Sequence, residues 1–380
     1  MAKIEMLPAE HPGVFIAEEL EARGWTQADL AFVMDWDASQ LNRVMTGLDG
    51  VSAKTALLLE DAFDVPAEFF VNLQRMYDLG RAEQADPGVK LRANWATAFP
   101  VREMIKRGWI DDGKSDLLEL QMVRFFGKSS RDEVPFVSDA PVFAHAAKKS
   151  ASYEEVSPLQ YVWLHRVKQV AQTVDAPTFD AAALRDMLPT LRAHFLDKGD
   201  LVHIPNLLLR CGVRLVLVEA IPGAKIDGVC LWLEDQPVIG VTNRLDRLDN
   251  LCFVLRHEIE HILNGDGMEE AFAPIDVFDA GAFEDTVDDC EKLANAAAAE
   301  FCVPQQVLNS FILRKAPYIS EKDLLRFSAM VEISPSVAVG QIRHKTGKHN
   351  WLWKYSKSIR KSLLEWPFVD GWKIVAKTEL

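Results

Sequence analysis

The stretch His257-Glu258-Ile259-Glu260-His261 constrains the fold of this 380-residue chain more than any other. Residues four apart share one face of an α-helix. A helix carrying this stretch therefore aims two imidazoles at one point, with Glu258 beside them. This is the H-E-x-x-H pattern, in which two His hold a zinc ion and the Glu serves as general base. Two ligands do not complete such a site. A catalytic zinc takes a third protein ligand and keeps one position open, so a second element must come close to the helix. The best supplier is Glu291, in Glu291-Lys292-Leu293-Ala294-Asn295. The small residues Ala294, Ala296, Ala297, Ala298 and Ala299 around it let two helices approach. Asp266, Asp288 and Asp289 are alternative third ligands. Asp288, one turn before Glu291, is placed to orient a ligand imidazole from the second shell.

The texture of the chain changes twice. Residues 11–76 read as short helices: Pro12 opens one, and Gly24 breaks it. Thr26, with Asp29 three residues on, starts the next as a capping-box variant. A turn at Asp35-Trp36-Asp37 precedes a helix over 38–45, stopped by Gly47, and Ser52 caps a further helix over 53–63. Helix, short turn, helix is the helix-turn-helix layout. Residues 79–200 are helical in pattern and read as a core joining two functional ends. From about 201 the chain turns β-branched and apolar. Strands are predicted over 213–218, 229–233 and 237–241, the last two joined at Glu234-Asp235-Gln236. A helix over 249–263 carries the two His and stops at Asn264-Gly265, and another over 285–302 ends before Pro304.

Bulk properties narrow the function classes. The chain is 49% hydrophobic and 26% charged, ordinary for a globular protein. No run of 18 apolar residues exists, so no membrane span is expected. The N-terminus lacks an apolar signal-peptide core, and the five cysteines are scattered and odd in number. Both features fit a cytoplasmic protein. Net charge is −14, which argues against non-specific nucleic-acid binding by the whole chain. Residues 1–78 carry 14 acidic and 5 basic side chains. DNA affinity rests on phosphate contacts made by cations, so this part has few of them. Ser39, Gln40, Asn42 and Arg43 are the base- and phosphate-facing candidates, with Gln27 as a backbone contact.

Leu251 to Pro304 resembles the ImmA/IrrE family of zinc metallopeptidases. Arg256-His257-Glu258-Ile259-Glu260-His261-Ile262-Leu263 corresponds to the family's active helix. Glu291-Lys292-Leu293-Ala294-Asn295 through Ala298-Ala299-Glu300-Phe301-Cys302-Val303-Pro304 corresponds to its second helix, which favours Glu291 as the ligand. Gly228-Val229-Cys230-Leu231-Trp232 resembles the strand before the active helix, whose edge would hold a substrate peptide by strand addition. Glu260 departs from the small residue usual there. The N-terminal part resembles Cro- and lambda-repressor-type helix-turn-helix domains, in particular HigA-type antitoxins. The residues are His11-Pro12-Gly13, Trp25-Thr26-Gln27-Ala28-Asp29-Leu30-Ala31, Ser39 through Gly47, and Ser52-Ala53-Lys54-Thr55-Ala56-Leu57. Asp35 and Asp37 stand where small or neutral residues are usual.

Two charge runs stand apart. Between Asn264 and Cys290 there are nine Asp or Glu and no Lys or Arg, in the segment that joins the two metal-bearing helices. Arg343, Lys345, Lys348, Lys354, Lys357, Arg360 and Lys361 form an acid-free run interleaved with Trp351, Trp353 and Tyr355. These aromatics read as anchors for a tail docked on the protein's own acidic surface, the alternative being a contact with nucleic acid or an acidic partner. The donor that would stabilise a tetrahedral oxyanion is open among His344, His349 and Tyr318.

The expected architecture is α+β and mostly helical. It comprises a helix-turn-helix domain over 1–78, a helical middle region over 79–200, a small zincin-like domain with a short β-sheet over 201–350, and a basic aromatic tail over 351–380. The resemblances imply a transcription regulator or antitoxin, with a homodimer as a possible state. It would bind operator DNA and cleave a protein partner using Zn2+ held by His257, His261 and Glu291, with Glu258 as base. The alternative is a non-enzymatic antitoxin or sensor, whose zincin domain only binds a cognate toxin or signal.

Overall fold

The computed structural model describes residues 10–82, 86–112, 115–137, 156–266, 268, 275–276, 289–348, 350–356 and 358–378. The chain divides into two compact units, Met1–Asp86 and Pro87–Leu380.

Among the described residues the first unit contains five helices: α1 (Pro12–Arg23), α2 (Gln27–Val33), α3 (Ala38–Met45), α4 (Ala53–Phe63) and α5 (Ala67–Arg81). Local chemistry fixes their starts. Thr26 and Asp29 form a reciprocal capping box on α2, and the side chains of Asp37 and Ser52 cap α3 and α4. Gly24 closes α1 in the left-handed region at φ 66°. Ile16, Leu20, Leu30, Leu41, Val44, Leu59, Phe63 and Phe70 form one buried core. A Cβ on Gly13 would stand 2.1 Å from the Met45 carbonyl oxygen, so only glycine lets α1 lie this close to the end of α3.

The second unit begins with α6 (Pro87–Ala98), α7 (Val101–Lys106), α8 (Ser115–Phe125), α9 (Pro158–Gln172), α10 (Ala181–Ala193) and α11 (Ile204–Leu209). Then come β1 (Arg214–Val218), β2 (Gly228–Leu233), β3 (Gln236–Val241), α12 (Leu248–Asn264), β4 (Ile275–Asp276) and α13 (Asp289–Cys302). It closes with α14 (Gln305–Lys315), α15 (Glu321–Met330), α16 (Pro335–Thr346), α17 (Arg360–Leu363) and β5 (Val369–Asp370). The sheet has the order β4-β2-β3-β1-β5. β1 runs parallel to β3 and β5, and β2 runs antiparallel to β3 and β4.

Successive strand residues point to opposite faces, and here both faces are covered. Leu215, Leu217, Cys230, Trp232, Ile239 and Val241 pack with Val254, Leu255 and Ile259 of α12 and with the C-terminal helices. Val216, Val218, Val229, Leu231 and Val238 pack with Trp95, Met104, Trp109, Phe125, Trp163 and Val167 from the helices of 87–172. The strands are continuous apolar runs for this reason.

The expected borders at 78, 200 and 350 are therefore redrawn. The helices after residue 86 do not form a region of their own, because they build one side of the sheet's core. The C-terminal residues do not form a separate tail either. Trp366 is buried in the core, and β5 pairs with β1. Asp370 is buried and accepts from Arg166 Nη2 at 2.5 Å, Trp109 Nε1 at 2.7 Å and the Ala376 amide at 3.0 Å. One carboxylate thus ties the middle helices, the sheet and the end of the chain together. Within the basic run, Arg343 is buried and donates to the Trp351 carbonyl, while Lys354 and Tyr355 both bind Glu321. Among the described residues no helix is long and apolar enough to cross a membrane.

Candidate metal centre and helix-turn-helix surface

Helix α12 packs most extensively against α13, whose small inward residues Ala294 and Ala298 are fully buried. That approach brings three groups together. His257 Nε2 and His261 Nε2 lie 2.9 Å apart. Glu291 Oε2 stands 3.3 Å from His257 Nε2, and Glu291 Oε1 stands 3.3 Å from His261 Nε2. One ligand atom from each residue falls within 4.8 Å of the others, the one such group among the described residues. Both His side chains are fully buried, and Glu291 keeps 17% of its side chain exposed. Burial works to raise the Glu291 carboxyl, but hydrogen bonds to His257 and His261, with their charge, hold it well below the usual carboxylate range.

The other candidates sort themselves around this cluster. Asp266 Oδ2 lies 3.0 Å from His261 Nδ1. A carboxylate only accepts, so Nδ1 carries a proton, which leaves Nε2, on the Glu291 side, as the nitrogen that would take a metal. Asp266 is thus no third ligand. It sits against the outer nitrogen of His261; Asp288, expected to orient a ligand imidazole, falls outside the described residues. The turn that carries it is anchored: Gly265 ends α12 at φ 79°, and Trp232 Nε1 on β2 donates to the Asp266 carbonyl at 2.8 Å. Asp289 has a side chain 92% exposed and pairs with Lys292, so it is no ligand either. Glu260 does not crowd the site. It forms a 2.6 Å ion pair with Arg256, one turn back along α12.

Glu258 is fully buried under the start of β2. A Cβ on Gly228 would stand 2.2 Å from Glu258 Oε1 and 2.7 Å from Val254 Cγ1. The strand passes over the carboxylate only because residue 228 has no side chain. The edge of β2 expected to hold a substrate peptide is partly occupied. β4 pairs with it there, Gly228 opposite Asp276 and Val229 opposite Ile275. Of the oxyanion candidates, His344 and Tyr318 are exposed, Tyr318 by 88%, and His349 lies outside the described residues. Neither described residue shares the buried setting of Glu258.

On the first unit Gln27, Ser39, Gln40, Asn42 and Arg43 are all exposed, on α2 and α3. Asp37, which looked out of place in a DNA-facing turn, is the N-cap of α3 and accepts from the Gln40 amide at 2.7 Å. Asp35 sits at φ 54° in the turn before it. Arg43 is already engaged: its Nε and Nη2 donate to the two carboxylate oxygens of Asp49 at 2.7 and 2.6 Å. That bidentate pair raises the Arg43 pKa and lowers that of Asp49.

The comparisons with known proteins fall on this layout. A helix-turn-helix family matches residues 16–70, covering α1 to α4 and the start of α5. The chain is 34% identical over 86 residues to Virulence-associated protein I of Dichelobacter nodosus, a match covering 22% of this chain and 80% of that protein. It is 34% identical over 98 residues to Virulence-associated protein A' of the same organism, covering 25% and 83%. Residues 16–70 thus form a helix-turn-helix of this family, which supports DNA binding by the first unit.

Proposed function

We propose that the protein is a transcription regulator that binds operator DNA through α2 and α3 and carries a zinc-dependent peptidase in its second unit, directed at a protein partner. The convergence of His257, His261 and Glu291 is the observation that carries this proposal. The donor set fits zinc: two imidazoles, one with its outer nitrogen held protonated by Asp266, and one carboxylate on a third side. Held by these residues, a zinc ion would polarise a carbonyl and lower the pKa of water. Glu258 is next to His257 in sequence and lies beneath Gly228. In this reading it takes a proton from attacking water and returns it to the leaving amine.

A metal analysis of the purified full chain tests the centre, with His257→Ala as the control expected to lose the metal. Cleavage of a co-expressed product of a neighbouring gene tests the chemistry. Glu258→Gln should keep the metal and stop cleavage. A variant that retains both metal and full biological activity refutes the peptidase. Binding to the protein's own promoter, steeper at low salt and weakened by Arg43→Ala, tests the DNA role. One observation favours a second reading for the first unit. Its net negative charge and the Arg43–Asp49 pair suit a basic protein partner, such as a toxin, as well as a phosphate backbone. Absence of promoter binding even at low salt would select that reading.

A further inference from the structure

The outer side of β2 is divided in two. Over Cys230 and Trp232 it is roofed by the turn after α12, since Trp232 Nε1 and Cys230 Sγ both reach the Asp266 carbonyl. Over Gly228 and Val229 it is met by a backbone strand, the two residues of β4. This second stretch is where Glu258 lies beneath the sheet. Paired strands run about 4.8 Å apart, so whatever pairs with Gly228 is held directly beside Glu258. β4 comes from the acidic segment between the two ligand-bearing helices, with Asp266 and Glu291 at its two ends.

We infer that Ile275–Asp276 occupies, within the same chain, the slot where an extended peptide adds to β2, and that a substrate peptide enters only by displacing it. The inference concerns the regulation of the proposed peptidase site and rests on that proposal for its meaning, while its test does not require zinc or cleavage. A tethered segment acts at an effective concentration in the millimolar range. A two-residue ladder holds it with few hydrogen bonds, each worth little net in water. The segment is thus strong enough to exclude a dilute peptide and weak enough to be exchanged for a longer strand. Strand addition draws on main-chain hydrogen bonds that any extended peptide offers, so the own segment is a fair stand-in for a substrate.

The test uses the full chain carrying Glu258→Gln, which removes cleavage, and a fluorescein-labelled peptide with the sequence of residues 272–279. Binding is read by anisotropy. Ile275→Pro with Asp276→Pro removes two amide donors from β4 and should tighten peptide binding by about tenfold or more. The opposite manipulation is a cross-link. Val229 and Ile275 face each other across the ladder, at a Cα spacing that a disulfide spans. Val229→Cys with Ile275→Cys, oxidised by glutathione disulfide, should abolish binding, and dithiothreitol should restore it. Equal affinity of the unmodified and proline chains, no binding by either, or binding unaffected by the cross-link overturns the inference. Loss of zinc from the unmodified protein would refute the peptidase while leaving these outcomes readable.

Discussion

The helix-turn-helix unit and the unit with the His-His-Glu cluster place their candidate functional residues by opposite means. In the first, Gln27, Ser39, Gln40, Asn42 and Arg43 lie on short helices whose starts are set by Thr26, Asp37 and Ser52, each within three residues of the amide it caps. The side chains stand in water, and their local sequence positions them. In the second, His257 and His261 depend on Glu291, thirty or more positions away, on Gly228 from a strand, and on a turn held by Trp232. All of it is buried or nearly so. A site built from local rules tolerates change around it. A site built from long-range packing inherits every defect of the fold.

The largest expected effect tests that dependence on the fold. Asp370→Ala leaves the buried Arg166 without its carboxylate, and breaking such a pair costs about 3–5 kcal/mol. Denaturant unfolding followed by the tryptophans of the second unit should show this loss, and an unchanged midpoint would mean that the pair is not what joins helices, sheet and C-terminus. Next comes Gly228→Ala. The added methyl meets Glu258 and Val254, with an expected destabilisation of about 1–3 kcal/mol. Combining it with Glu258→Ala should recover part of the loss. Strict additivity of the two changes would break the claimed contact.

Asp266→Asn is expected to weaken zinc affinity by roughly tenfold to a hundredfold, read by competition with a chelator, since the orienting carboxylate of His261 is gone. No change would mean that the imidazole is held by packing alone. The smallest effect is expected on the exposed unit. Asp49→Asn frees Arg43 and should tighten promoter binding a few-fold, with the salt slope rising by about one phosphate contact. A weaker complex would show instead that Asp49 holds Arg43 in its binding geometry.

The sequence by itself determined the elements and their order. Period and caps located α2, α3 and α4, the three central strands of the sheet and helix α12 within a residue or two, because capping, turn chemistry and side-chain periodicity act over a few residues. It also picked out His257, His261 and Glu291, the first two through a four-residue spacing that only a helix makes meaningful. The third came from the small residues around it and from a family resemblance. What only the tertiary structure decided are the facts that involve residues far apart in the chain. Residues 87–172 read as a connection, yet they cover one face of the sheet, since periodicity shows that a helix has an apolar side without showing what it meets. Asp266 was found against the His261 Nδ1, because the turn after α12 is fixed by Trp232. Gly228 gave no local sign of its role, as its constraint is a carboxylate thirty residues on. The edge of β2 expected to hold a substrate peptide was partly taken by a strand of two residues, too short to leave a periodic signal, formed because an unpaired strand edge binds whatever backbone the fold brings beside it.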